Sequence, residues 1–85
     1  MPRFFLNLHS DVDTALDTEG AMFDSSDDMK AAALGGAREI IAADAMSGVV
    51  DLSPRIEVQD EAGTVVHVLY FAQAIAFLST GSRAA

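Results

Sequence analysis

The chain contains no cysteine and no tryptophan, and only one tyrosine and two prolines among its 85 residues. Without cysteine there is no disulfide, no thiol nucleophile and no thiolate-ligated zinc or iron–sulfur centre. Bases are scarce: five Lys and Arg stand against thirteen Asp and Glu, for a net charge of −8. So acidic a surface argues against phosphate contacts, so neither direct nucleic-acid binding nor membrane association is expected. Long hydrophobic runs are missing as well. The most apolar stretch, Val65 to Leu78, is interrupted by His67 and Gln73 and falls short of the about 20 residues that span a bilayer as a helix. The opening Pro2-Arg3-Phe4-Phe5-Leu6-Asn7-Leu8-His9 has one base and an apolar run broken by Asn7, unlike a secretory signal. A cytoplasmic location is the expectation. What is present is apolar content, 51% of the chain, too much for a disordered polypeptide. One small domain over residues 1–78 is expected, with 79–85 as a frayed tail.

Periodicity divides that domain. Phe4, Leu6 and Leu8 alternate with Phe5, Asn7 and His9, as the two faces of a strand do. Residues 10–28 turn acidic, with Gly20 permitting a turn and Ala21-Met22-Phe23 suiting a short edge strand. Ser25 followed by Asp27 and Asp28 reads as a helix start, with a capping serine and carboxylates at the positive end of the helix dipole. Ala33, Leu34, Ala37, Ile40 and Ile41 then form one stripe, and Gly48 is the natural stop, so a long helix is predicted over 25–46. Ile56 and Val58 alternate with Arg55, Glu57 and Gln59 in a strand after Pro54. Asp60-Glu61-Ala62-Gly63 is hairpin-turn chemistry, and Thr64 to Phe71 is apolar on both faces apart from His67. A short helix is expected over 72–78.

The fold class that follows is α+β, in the order β(β)αββ with a short C-terminal helix. A three- or four-stranded antiparallel sheet lays one face on the helix stripe. Phe4, Leu6, Leu8, Ile56, Val58, Val66, Val68 and Tyr70 are its expected contribution to the core. Phe5, Val65, Leu69 and Phe71 fall on the opposite face, where one helix cannot reach, so the C-terminal segment or a second subunit must cover them. The back of the helix is odd too: Ala32, Gly35, Gly36, Ala42 and Ala43 leave only Glu39 as a large polar residue. Glycines inside a helix cost about 1 kcal/mol each relative to alanine. Gly35 and Gly36 mark either a tolerated weak helix, a surface for Ile75, Phe77 and Leu78, or the close approach of another chain.

No motif for chemistry survives counting. Asp11, Asp13, Asp17 and Glu19 suggest calcium, but a loop counted from Asp11 places Ala15, Leu16 and Met22 where an EF-hand needs an acid or amide, glycine and glutamate. His9 and His67 with Glu57 or Asp11 are the candidate metal ligands, provided their strands pair in a suitable register. His9 and Ser10 are adjacent and point to opposite faces while extended, so they form no nucleophile–base pair. No catalytic constellation and no cofactor are expected. The expected role is a non-catalytic interaction module that forms a homo-oligomer or takes a small protein partner through Phe5, Val65, Leu69, Phe71, Gly35 and Gly36. The alternatives are a regulatory domain that sequesters a basic protein partner and a small-ligand or metal site.

Pro2-Arg3-Phe4-Phe5 with Leu6-Asn7-Leu8-His9, then Asp17-Thr18-Glu19-Gly20, resembles the opening of a group of small bacterial proteins, the domain of unknown function family 6894. Asp60-Glu61-Ala62-Gly63 and Phe71-Ala72-Gln73-Ala74 are similar to that family's hairpin turn and closing Phe-x-x-Ala. The resemblance spans almost the whole chain and implies no activity. Two departures stand out: Ser10-Asp11 replaces Asp-Gly, and the helix back is Ala and Gly rather than Arg and Glu. Residues 3–42 also resemble, in pattern alone, HicB-type antitoxin domains, which implies a small basic protein as partner.

Overall fold

The computed structural model describes residues 2–78; the expected tail at 79–85 lies outside them. Five strands and one helix run in the order β1 (Arg3–His9), β2 (Thr14–Ala15), β3 (Ala21–Met22), α1 (Ser26–Ser47), β4 (Arg55–Gln59) and β5 (Val65–Tyr70), then a 3₁₀ turn at Phe71–Gln73. The strands form one antiparallel sheet in the order β2-β1-β4-β5, with β3 also pairing with β1. The class is α+β, as the periodicities predict.

Helix α1 begins and ends on the predicted chemistry. Ser25 is the N-cap, its Oγ accepting the Asp28 N–H at 3.1 Å, and Asp27 and Asp28 occupy the first turn. Gly48 closes the helix at φ +92°, and its N–H donates to the Ala45 carbonyl. The buried stripe is Met29, Ala33, Ala37 and Ile41, an unbroken i, i+4 row. Ile40, expected in the stripe, is exposed, and Leu34 only borders the core. A row of one residue per turn is narrow because two of its members are alanines, which bring helix and sheet close and leave no room for a wider stripe. Opposite it lie Phe4, Ile56, Val58 and Phe71, with Leu6, Leu8 and Leu69 packed around them. Burying these side chains drives the fold.

Strand β5 corrects the sequence reading. Leu69 pairs with Ile56 and His67 with Val58, so these residues face the helix, while Val68 and Tyr70 sit opposite Glu57 and Arg55 on the other face. Phe71 is fully buried in the core. Leu69 and Phe71 therefore do not lie on the uncovered face, and Val66, Val68 and Tyr70 are not core. Because β5 is apolar on both sides, alternation carries no information there and only the pairing with β4 sets the face. The register also shifts beside Gln59, which pairs with Val65 and leaves Val66 as an extra residue. Val65 remains exposed on the uncovered face, as expected.

The predicted C-terminal helix is only the 3₁₀ turn, with residues 74–78 irregular. A seven-residue helix without caps does not sustain itself. Phe71, Ala74 and Ile75 are instead drawn to the core, and the Arg38 Nε–H donates to the Ala74 carbonyl at 2.9 Å. Phe77 and Leu78 are left exposed and cover neither the helix back nor the second sheet face.

Candidate functional site

The face of the sheet away from α1 carries Phe5, Asn7 and His9 from β1, Arg55, Glu57 and Gln59 from β4, and Val68 and Tyr70 from β5. Beside β1 this face is closed by residues 16–20, which arch between the two short bridges that β2 and β3 make with it. Asp17 fixes the arch. Its carboxylate accepts the N–H groups of Gly20 at 2.9 Å, Leu6 at 3.2 Å and Glu19 at 3.3 Å, while its own N–H donates to Asn7 Oδ1 at 2.9 Å. Partial burial alone pushes this carboxyl up, but the Gly20, Leu6 and Glu19 N–H groups together hold it below the usual value. Asn7 is 4% exposed, a buried polar side chain beneath the arch on the open face.

Gly20 lets the arch approach. It holds φ +70°, and a Cβ there would come within 2.9 Å of both the Phe4 carbonyl oxygen and Phe5 Cε1. Between this arch and the β4–β5 turn lies a groove of about 440 Å³ whose lining includes Phe5, Asn7, His9, Asp17, Gln59 and Glu61. Two of its carboxylates are engaged with the chain itself. Asp17 serves the arch, and Asp60 Oδ1 accepts the Ala62 and Thr64 N–H groups that close the hairpin turn.

The two histidines do not converge. His9 is on the open face, with Nε2 3.6 Å from Glu57 Oε1, whereas His67 faces the helix opposite Val58. The pairing of β4 with β5 decides this, and it overturns His9 with His67 as a shared ligand pair. Among the described residues, no three His, Cys, Asp or Glu side chains are grouped to hold a metal ion. His9 does connect a hydroxyl to a carboxylate, since Thr14 Oγ1 lies 3.5 Å from Nδ1. Both separations exceed a working proton-transfer distance, and Glu57 is already held by Arg55 Nε at 2.8 Å. The arrangement is a cross-strand polar cluster. Asp11 and Asp13, the other acids of interest, sit in a serine-organised turn in which Ser10 Oγ accepts the Val12 and Asp13 N–H groups.

Gly35 and Gly36 remain unexplained within the chain. A Cβ added at either meets nothing within 4 Å, and neither has a positive φ. Gly35 is exposed and Gly36 half-buried, and no described part of the C-terminal segment lies over them.

The model of one protein family, described as Domain of unknown function (DUF6894), matches residues 3–72. The chain belongs to that family. The match takes in every strand, the helix and the Asp17–Gly20 arch of this DUF6894 domain, and it brings no functional residue with it. No curated protein and no solved structure matches the chain. Among the described residues, no helix is long and apolar enough to cross a membrane.

Sequence reasoning offered His9 and His67 with Glu57 or Asp11, of which the structure brings together only His9 and Glu57, and it missed the Asn7–Asp17–Gly20 arrangement. The signal was present as an aspartate three residues before a glycine, the pattern of a side chain that caps its own turn.

Proposed function

We propose that this DUF6894 domain is a small cytoplasmic interaction module that works by self-association. One observation carries the reading: among the described residues, more large apolar side chains are exposed than are fully buried. Nine apolar residues are buried among those described, and three of them are alanines. Eleven large apolar residues are exposed, including Val65, Val66 and Tyr70 of β5 and Ile40 and Met46 of α1. Scattered exposed hydrophobics are ordinary, but so many large ones on a domain this small are a feature of subunits. Among the described residues no contact accounts for Gly35 and Gly36, which supports the same reading.

Light scattering on the purified full chain across a range of protein and salt concentrations tests it. A dimer that tightens with salt is the expected result. Salt screens the repulsion between two chains of charge −8 and strengthens apolar burial. A monomer at every concentration overturns the reading. A complex that forms only with a basic protein and falls apart in salt replaces it with the acidic-surface alternative.

A further inference from the structure

Strand β5 ends the sheet, and among the described residues no strand pairs with its outer edge. The Phe71 N–H donates to the Pro54 carbonyl at 3.0 Å, which fixes which backbone groups face β4. In an antiparallel pair the residues facing the partner alternate. Leu69 and His67 therefore point their N–H and C=O at β4, while Val68 and Tyr70 point theirs outward. Among the described residues, those two present four backbone groups in a row that no strand pairs.

Natural edges are blunted by lysine, proline, inward charges or bulges. From Val65 to Tyr70 this strand has no charge and no proline. Its one irregularity lies at Val66, beside Gln59, and leaves His67 to Tyr70 regular. The neutrality matters in a chain of charge −8. A basic partner would be drawn to the acids elsewhere, whereas two copies of this chain can meet along β5 without setting carboxylates against one another. Antiparallel pairing about a two-fold axis is also self-complementary by construction.

We infer that β5 pairs with β5 of a second copy, with Leu69 on the two-fold axis. This inference rests on the self-association reading and names its surface. The register is the one that uses both outward residues: Val68 and the partner's Tyr70 exchange N–H···O=C bonds, and the symmetric pair does the same. It avoids the irregularity at Val66. On the open face it sets valine beside tyrosine twice, a favourable cross-strand combination. The result is one continuous sheet with both helices on the same side.

Hydrogen exchange at the Val68 and Tyr70 amides, with native mass spectrometry of the full chain, tests this inference. The expected result is a dimer in which both amides are protected. Val68→Pro removes an N–H the single chain does not use and two bonds from the dimer, weakening association about 30-fold. Tyr70→Glu places a carboxylate beside Arg55 in the single chain but against the partner's Val68 in the dimer, and it too should dissociate the pair. Circular dichroism confirms that each variant is folded, and Tyr70→Glu decides if Val68→Pro is not. A dimer whose Val68 and Tyr70 amides exchange freely, or whose Kd neither variant changes, overturns the β5 edge and leaves self-association standing through another surface. A monomer with those amides protected shows the edge covered by the chain itself and overturns the inference. A monomer with them unprotected overturns both readings.

Discussion

On the outer edge of β1, Leu6 donates its N–H to Asp17 and the chain folds back in two bridges on either side of that bond. On the outer edge of β5, Val68 and Tyr70 face no strand among the described residues. The first edge is closed by side chains as much as by strand: two two-residue pairings, a carboxylate taking three backbone N–H groups and a buried amide taking a fourth. The second has none of these. An open edge is a hazard that proteins usually blunt, and among the described residues it is closed on one side only. The difference separates an edge that holds the domain together from the one on which the proposed association rests.

The sharpest way to break the comparison is at Gly20. Alanine there is strained at φ +70° and would drive its methyl group against the Phe4 carbonyl, a backbone atom that cannot move without opening β1. We expect Gly20→Ala to cost about 2–4 kcal/mol, read as a lower denaturant midpoint at unchanged slope. A loss below about 1 kcal/mol would show that residues 16–20 adjust freely, and the closed edge would then be no firmer than the open one.

Asp17 comes next. Asp17→Ala leaves three N–H groups without their acceptor, and because water reaches the more exposed of them the expected loss is about 2 kcal/mol. The same carboxylate makes the closed edge sensitive to acid. Its folded pKa lies below the ordinary 3.8, so its contribution is complete above that value and disappears as pH falls through the folded pKa. Melting temperatures of the wild type and Asp17→Asn should therefore differ at neutral pH and converge below pH 3.8. A constant gap across that range would mean that the charge of Asp17 does not hold the arch.

How far these edges are legible in the sequence depends on what each residue type reports. Ser25, Gly48 and the turn at 60–63 are local devices whose chemistry is complete within a few positions, and the structure uses each as expected. The alternation in β1 and β4 is equally plain, because one face of each is polar. Strand β5 has no polar face to lose, so Leu69 and Phe71 could be placed only by knowing what they pair with. That one shift also separates His67 from His9 and dissolves the candidate metal site. Asp17 and Asn7 were hidden for another reason: they meet across ten residues, and nothing local says that an acidic segment will fold onto the strand before it. The helix stripe lies between these cases, since the 3.6-residue period finds Ala33, Ala37 and Ile41, while only the close approach of helix to sheet excludes Ile40.

The smallest expected effect lies on the open edge. Val66 is 44% exposed, lies at the irregularity beside Gln59, and is outside the regular stretch assigned to pairing. Val66→Thr keeps the β-branched shape that a strand favours and adds a hydroxyl that water can reach. The expected change in stability is within about 0.5 kcal/mol, with the dimer Kd unaltered. Chemical denaturation measured below the association range isolates the single chain. A loss comparable to that of Asp17→Ala would mean that Val66 is covered within the folded chain, so the contrast between a structural edge and a free one would fail at the edge where least should change. A null effect beside large ones at Gly20 and Asp17 would locate the difference in the backbone contacts of the two edges rather than in their apolar content, since Val66 is the more hydrophobic residue of the three.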